Sequence, residues 1–447
     1  MIMMGQVFIG ASKNYDKGSV SPAALSGSVK PLGMRELLFV CLLWGCSPST
    51  KHPGDGVPVE LGGSQDSGSV APPPPVVEDT ASSEDSGPEV DTAVEEGGEL
   101  RGIWVTRWSY SSREDVARIM GEIADAGFNT VFFQVRGRHD AFYESTIEPW
   151  AKRLTGTLGA HPGWDPLQAA VEEGHARGLH VHAYLNAFPF WSGETAPSMS
   201  TPEHAYRSNP EWLVTDEEGT PMALNSSYVF ASPGNPEVRE RLAAVSADVA
   251  SRYDVDGIHL DYIRYSDRGY SHDVSSLFHW EAAGEPDWAE WQRAQVTATV
   301  QGVSDSVDIP VTAAVWGIYE NSFGWSGVSQ GNIDYYQDSR AFLASGALDA
   351  NIPMIYWPVA SVEGAHLDFR TLVRDHVSHA SGRHVYAGIS AAEDIGREGL
   401  LRCIEVAREE GAHGVVIFDY TQAQPYFDEI RSTVFSLPES PPVMNWR

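Results

Sequence analysis

Cysteine is almost missing from this chain. It has three in 447 residues: Cys41 and Cys46 lie near the N-terminus and Cys403 lies in the body. The body therefore has no internal disulfide and no cysteine-based zinc site, and Cys403 reads as a small buried apolar residue. Positive charge is also scarce, with 30 Lys+Arg against 61 Asp+Glu and a formal charge of −31. Binding phosphates needs clustered Lys and Arg, which excludes nucleic acid as the main partner. The same shortage excludes electrostatic adsorption to an anionic bilayer. Long apolar runs are missing too: residues 37–44 form a run of eight, far short of the ~20 that span a bilayer. There is no Walker-type loop and no cysteine near a strand end, and the one Gly-x-Ser-x-Gly pattern, at 327–331, stands well past the β-rich run 310–316 and so forms no nucleophile elbow. Those absences remove P-loop, serine-hydrolase and cysteine-nucleophile chemistry.

The charge that is present is uneven. Residues 1–46 carry a net of +2, residues 47–100 one Lys against twelve acids for −11, and the remainder −22. Segment 47–99 is rich in Pro, Ser, Gly and acids and has no aromatic residue. It cannot bury enough apolar area to offset chain entropy, so a disordered linker is expected, stiffened by the prolines at 72–75. Before it, residues 34–46 hold an apolar core that suits a signal peptide. They end Leu43-Trp44-Gly45-Cys46, which resembles a bacterial lipobox, although a small residue is usual where Trp44 stands. Residues 1–33 lack signal character, which places the expected start at Met34 or slightly upstream. The expectation is a lipidated Cys46, contact with membrane through that anchor only, and residence in the cell envelope. In a Gram-negative organism that means the outer membrane or the periplasmic face.

From residue 100 the pattern changes. β-rich runs at 102–108, 130–136, 179–188, 257–264, 310–316, 348–357, 384–390 and 414–420 alternate with helical stretches. The helical stretches lie at 113–126, 165–177, 236–253, 287–307, 334–344, 363–381, 395–410 and 426–435. Eight alternations predict a (β/α)8 TIM barrel over 100–437, followed by a tail at 438–447. An open doubly wound sheet is the alternative, weakened because no Gly-rich phosphate loop follows the first strand. A monomer is expected.

Active sites of such barrels lie at the C-terminal strand ends, and polar residues at period two in a buried strand stand out there. In Gly257-Ile-His-Leu-Asp-Tyr-Ile-Arg264, His259 and Asp261 share a face and are expected to point into the barrel mouth, with Arg264 close enough to pair with Asp261. Gln134 and Arg136 share a face of the second strand, and Asp140 and Tyr143 follow it. The third strand alternates His182, Tyr184 and Asn186 against apolar neighbours. No metal is expected at the histidines, since no carboxylate converges at a standard spacing, and no cofactor is expected either. Trp316, Tyr356 and Trp357 end the fifth and sixth strands, and Asp419 ends the eighth. The insertion 189–233 holds Trp191, Tyr206, Trp212, Tyr228 and Phe230, either as a cleft wall or as a packed excursion. An acidic, aromatic barrel mouth suits glycoside hydrolysis, which needs two carboxyl groups, with aromatic rings stacking on sugar faces.

The following pieces occur in order: Arg101-Gly-Ile-Trp104, Gln134-Val-Arg136, Asp140-Ala-Phe-Tyr143, Pro149-Trp150, Leu154-Thr-Gly156, Pro162-Gly-Trp-Asp-Pro-Leu167, His182-Ala-Tyr-Leu-Asn186, Tyr253-Asp-Val-Asp-Gly-Ile-His-Leu-Asp-Tyr-Ile-Arg-Tyr265, Ser339-Arg-Ala-Phe342 and Pro353-Met-Ile-Tyr-Trp357. Together they resemble the glycosyl-hydrolase-like family ten, over roughly residues 99–420. The resemblance implies a TIM-barrel glycosidase of bacterial envelopes, often a lipoprotein. Some relatives are linked to cleavage of peptidoglycan strands lacking stem peptides. Asp261 matches the family's acidic position at the end of strand four. Many relatives carry a second acid next to it, where this chain has Tyr262.

On this reading Asp261 is the principal catalytic carboxylate. Its partner is Asp140 by first choice, Asp419 by second, and Glu320 by third. Gln134, Arg136, His259, Arg264, Tyr143, His182, Tyr184, Asn186, Trp316, Tyr356 and Trp357 are candidates to hold a cell-wall polysaccharide, His259, Arg264 and Arg136 also tuning Asp261. Two other functions fit the sequence: a non-catalytic glycan-binding lipoprotein on a degenerate barrel, and an exported α-glucan-type hydrolase. The body's −22 suits a neutral or cationic substrate better than a polyanion.

Overall fold

The structure, a computed structural model, describes residues 98–447. The apolar run, Cys46 and residues 47–97 lie outside the described residues. Eight strands occur in order: β1 (Leu100–Val105), β2 (Thr130–Arg136), β3 (His180–Asn186), β4 (Gly257–Asp261), β5 (Val311–Trp316), β6 (Ala350–Met354), β7 in two pieces (His384–Val385 and Ala387–Ser390) and β8 (Gly414–Phe418). All pair in parallel with their neighbours, and β8 returns to β1 through Leu100↔Gly414 to Ile103↔Ile417. The sheet is closed, so the TIM-barrel reading holds and the open sheet does not.

A helix follows each strand: α1 (Arg113–Asp125), α2 (Pro166–His175), α3 (Pro236–Arg252), α4 (Trp288–Asp305), α5 (Ser339–Ala344), α6 (Phe369–Ser378), α7 (Gly396–Glu409) and α8 (Phe427–Ser432). Capping fixes several starts. Ser112 accepts from the amide of Asp115 at 3.1 Å, Asp165 from Gln168 at 3.0 Å, and Asp338 from Ala341 at 3.0 Å. Each satisfies an amide that the first helical turn leaves unpaired.

The strands alternate as period two requires. Val131, Phe133 and Val135, with Ile258 and Leu260, are fully buried in the layer shared with the helices. The other face fills the barrel: Leu100, Trp104, Phe132, Tyr184, Ala314, Ile352, Tyr386 and Val416 form a separate cluster. Space there is tight. A Cβ on Gly102 would come within 2.8 Å of the Phe132 ring.

The opposite, N-terminal end is closed by the segment expected only as a tail. Met444 packs on the interior cluster. Trp446 Nε1 donates to Asp349 Oδ1 at 2.8 Å, and Arg447 donates to both Asp349 oxygens at 2.6–3.0 Å. The 189–233 insertion is mainly a packed excursion. Pro189–Ser192 pairs antiparallel with Tyr228–Phe230, and Trp191 and Trp212 are buried.

Candidate active site

Asp261 ends β4, at the end of the barrel where the loops after the strands gather. Only 8% of it is exposed. The Tyr184 hydroxyl donates to Oδ2 at 2.6 Å, and the amide of Tyr262 donates to Oδ1 at 2.6 Å. The second bond arises from a sharp turn, since Tyr262 has a φ of +52°. Burial raises the carboxyl's pKa, while Arg264, the two hydrogen bonds and Arg107 pull the other way. Net, it stands above the usual aspartate range. Arg264 lies over the Tyr262 ring at 4.6 Å and over Trp316 and Tyr335 at 5.4 Å. The expected Asp261–Arg264 ion pair is not formed: no oxygen of Asp261 lies within 4.0 Å of the guanidinium.

A polar chain runs along the ends of β1, β2 and β3. Gln134 accepts from the amide of Arg107 at 3.0 Å and donates to Asn186 at 3.0 Å. Asn186 donates to the carbonyl of Gly137 at 3.0 Å. Gln134, Tyr184 and Asn186 thus lie beside Asp261 as period two predicts. Arg107 was not among the sequence candidates; it lay inside the expected run 102–108, whereas β1 ends at Val105 and alternation stops before it. Its guanidinium donates to the Tyr228 hydroxyl and feels both Asp261 and Asp140. Next to it Trp108 is 52% exposed, with Arg107 and Arg153 over its ring at 4.9 and 4.6 Å.

Several candidates lie elsewhere. Arg136 was expected on the same face as Gln134, but the β2–β3 register shifts between Gln134 and Arg136. That bulge breaks the alternation. Arg136 is fully buried, paired with Glu148 at 2.8–3.1 Å and bonded to the carbonyls of Asn186 and Ala187. It has no surface for substrate. Tyr143 is fully buried in the outer core against Tyr253.

His182 and His259 face inward, but below the mouth. His182 pairs in register with Gly257, the first residue of β4, and burial lowers its pKa to about 4. His259 is fully buried. Its Nε2 accepts from Trp104 Nε1 at 2.9 Å, which leaves the proton on Nδ1 facing Thr312 Oγ1 at 2.9 Å. Both are packed neutral histidines in the barrel filling. Trp357, past the end of β6, packs with the outer core, while Tyr356 packs on the barrel-filling cluster.

Among the second acids, Asp140 is 2% exposed and accepts from the amide of Arg138 at 3.0 Å and its guanidinium at 3.5 Å. Glu320 is exposed and accepts from Asn332. Asp419 follows β8, is half-buried, and takes the amide of Gln422 at 3.1 Å. Burial raises its pKa. Tyr356, half-buried and stacked on Phe418 at 5.6 Å, lies in the field of both Asp261 and Asp419. Trp316 is half-buried beside Tyr335 at 4.3 Å. Asp261, Asp419, Tyr356 and Trp316 thus form one neighbourhood with Arg264. Among the described residues, no group of three or more His, Cys, Asp or Glu is arranged to hold a metal ion.

Residues 99–398 match the family described as Glycosyl hydrolase-like 10. The chain is 31% identical to "Glycosyl hydrolase DigH" of Escherichia coli (strain K12) over 253 residues, 52% of this chain and 55% of that protein. It is 25% identical to "Glycosyl hydrolase YngK" of Bacillus subtilis (strain 168) over 287 residues, 58% and 54% of the two. The chain thus spans about half the length of the curated relatives it matches. Among solved structures, the PgaB (BpsB) glycoside hydrolase domain from Bordetella bronchiseptica shares the fold. Its TM-score is 0.54 at 15% identity, over 74% of this chain and 98% of that one.

Proposed function

The chain belongs to the glycosyl hydrolase-like 10 family, and on that premise we propose that it is a glycosidase of the cell envelope that cleaves cell-wall glycan strands. The observation that carries the reading is the setting of Asp261: a buried carboxylate at the end of β4, held by Tyr184 and the Tyr262 amide, with Asp419 sharing the field around Tyr356.

In the reaction the glycosidic C–O bond breaks as a carboxylic acid passes its proton to the departing oxygen. Water supplies the new C–O bond, directly or after a covalent sugar–carboxylate stage. Asp261 suits the ionised role, because two hydrogen bonds and the charges of Arg264 and Arg107 favour its anion. Burial raises both carboxyls, but guanidinium charges oppose it only at Asp261, so Asp419 suits the proton donor. Asp140 is the weaker partner, its carboxylate being engaged by Arg138. Trp316, Tyr356 and the exposed Trp108 offer rings for sugar faces.

The wall-glycan substrate rests on the family resemblance. The envelope location rests on the lipobox-like end at Cys46, with residues 47–97 as the tether. Metabolic labelling with a fatty acid, in the natural protein and in Cys46→Ser, tests the anchor.

The decisive assay incubates the protein with purified wall glycan strands, with and without stem peptides, and identifies new reducing ends by mass spectrometry. Asp261→Asn should abolish release with the melting curve unchanged. Asp419→Asn should lose most activity, and Asp140→Asn should chiefly lower stability. Near-normal turnover in Asp261→Asn would sink the assignment. The alternative, a glycan-binding barrel without turnover, draws on Tyr262 standing where many relatives carry a second acid. Binding with no released fragment from any glycan would establish it.

A further inference from the structure

The mouth arginines are not equivalent. Arg107 donates to the Tyr228 hydroxyl, and Arg153 donates to the carbonyls of Arg107 and Trp108 at 2.7 and 2.9 Å. Arg138 bonds Asp140 and Ser192. Arg264 makes neither a hydrogen bond nor an ion pair among the described residues, and its Nε is buried with no acceptor. Yet its place is fixed, since Tyr262, Trp316 and Tyr335 surround the guanidinium at 4.6–5.4 Å. A buried N–H left without an acceptor is costly, and a held guanidinium fork matches a carboxylate in two parallel hydrogen bonds. The rings hold the cation without consuming its donors, and Asp261 stays beyond ion-pair distance. The two terminal nitrogens are neither bonded within the described residues nor among the buried atoms, so they are the donors open to an anionic acceptor from outside.

Resting on the glycosidase reading, we propose that Arg264 is a specificity-determining residue that holds a free carboxylate on the sugar bound against Asp261. The ligand class is a glycan whose residues carry a carboxylate, either as a uronic acid or as the lactyl ether of a wall amino sugar. An ester or amide at the same position keeps a carbonyl but loses the charge and one acceptor. The body's −22 does not oppose this, because recognition depends on the cation at the mouth and not on the average over the surface.

The test uses the full chain carrying Asp261→Asn, so that ligand is bound and not turned over. Calorimetry compares two pairs of oligosaccharides: an oligouronate with its methyl ester, and a peptide-free wall tetrasaccharide with its methyl ester. In one pair the free acid should bind roughly 10- to 100-fold tighter, as expected for a charge-assisted pair, and that pair identifies the source of the carboxylate. Adding Arg264→Gln should bring acid and ester together, and Arg264→Lys should recover part of the difference. If Arg264 were only a counterion for Asp261, whose charge this background already removes, Arg264→Gln would leave the acid-to-ester ratio unchanged. That result, equal binding in both pairs, or binding of no ligand, overturns the proposal. If Arg264→Gln melts below the assay temperature, Arg264→Lys decides: an unchanged acid-to-ester ratio overturns it as well. A wild-type protein that releases no fragment from any glycan would defeat the glycosidase reading while leaving this ratio intact.

Discussion

Replacing Tyr184 by phenylalanine removes one oxygen from the mouth and keeps the ring that packs edge-on against His259 at 5.3 Å. The lost bond is the hydroxyl's donation to Asp261 Oδ2 at 2.6 Å. Short hydrogen bonds to a carboxylate contribute about 1.5–3 kcal/mol to the ionised form, and a tenfold change in protonation is about 1.4 kcal/mol. The Tyr262 amide, Arg264 and Arg107 still favour the anion in the variant. The Asp261 carboxyl, already raised by burial, should therefore titrate roughly one to two pH units higher in Tyr184→Phe than in the natural protein. Carbon-13 NMR of selectively labelled aspartate reads this directly. If Asp261 works ionised, the acid limb of kcat/KM moves up by the same amount. A carboxyl that does not move, or moves down, refutes the hydrogen-bond reasoning. A moved carboxyl with a stationary limb strips Asp261 of its ionised role.

Three further outcomes follow from the packing. Arg136→Met leaves Glu148 charged in a fully buried site and should cost about 3–5 kcal/mol in urea unfolding; adding Glu148→Gln should return part of it, and a loss under ~1 kcal/mol would contradict the pairing. His182 is buried with its pKa lowered to about 4 from 6.5. The unfolded chain therefore binds a proton that the fold refuses, so stability is full above pH 6.5 and falls as pH drops toward 4. The difference is about 3 kcal/mol; His182→Gln should flatten that part of the stability–pH curve, and parallel curves would count against it. Asp349→Ala removes the acceptor of Trp446, Arg447 and the Val311 amide and should cost about 2–3 kcal/mol. Limited proteolysis should then cut near residue 438, and continued resistance there would show that Asp349 does not hold the segment.

Much of the barrel is legible in the chain. Strand alternation is a local property, so Asp261, Gln134, Tyr184 and Asn186 fall on the inward face without any knowledge of their neighbours. The same rule fails where its premise fails. A bulge after Gln134 turns Arg136 into the Glu148 pair, and the end of β1 releases Arg107 from alternation. Trp357 is misplaced as well: it stands past the end of β6 at Met354 and packs with the outer core while Tyr356 stays at the mouth. Facing inward also says nothing of depth. Depth depends on the register between strands, which puts His182 level with the first residue of β4 and Asp261 level with Asn186.

Composition and pattern by themselves determined the absence of disulfides in the body, the split of the −31 charge, the eight alternating units and the inward-facing acid on β4. These are sums or short-range periodicities, which survive without coordinates. Only the closed barrel decided which inward residues reach the mouth and that the last residues seal the opposite end through Asp349. It also decided that Arg264 keeps its donors while its fellow arginines do not. Each of these is a contact between residues far apart in the chain, set by register, bulges and burial, which no local pattern encodes.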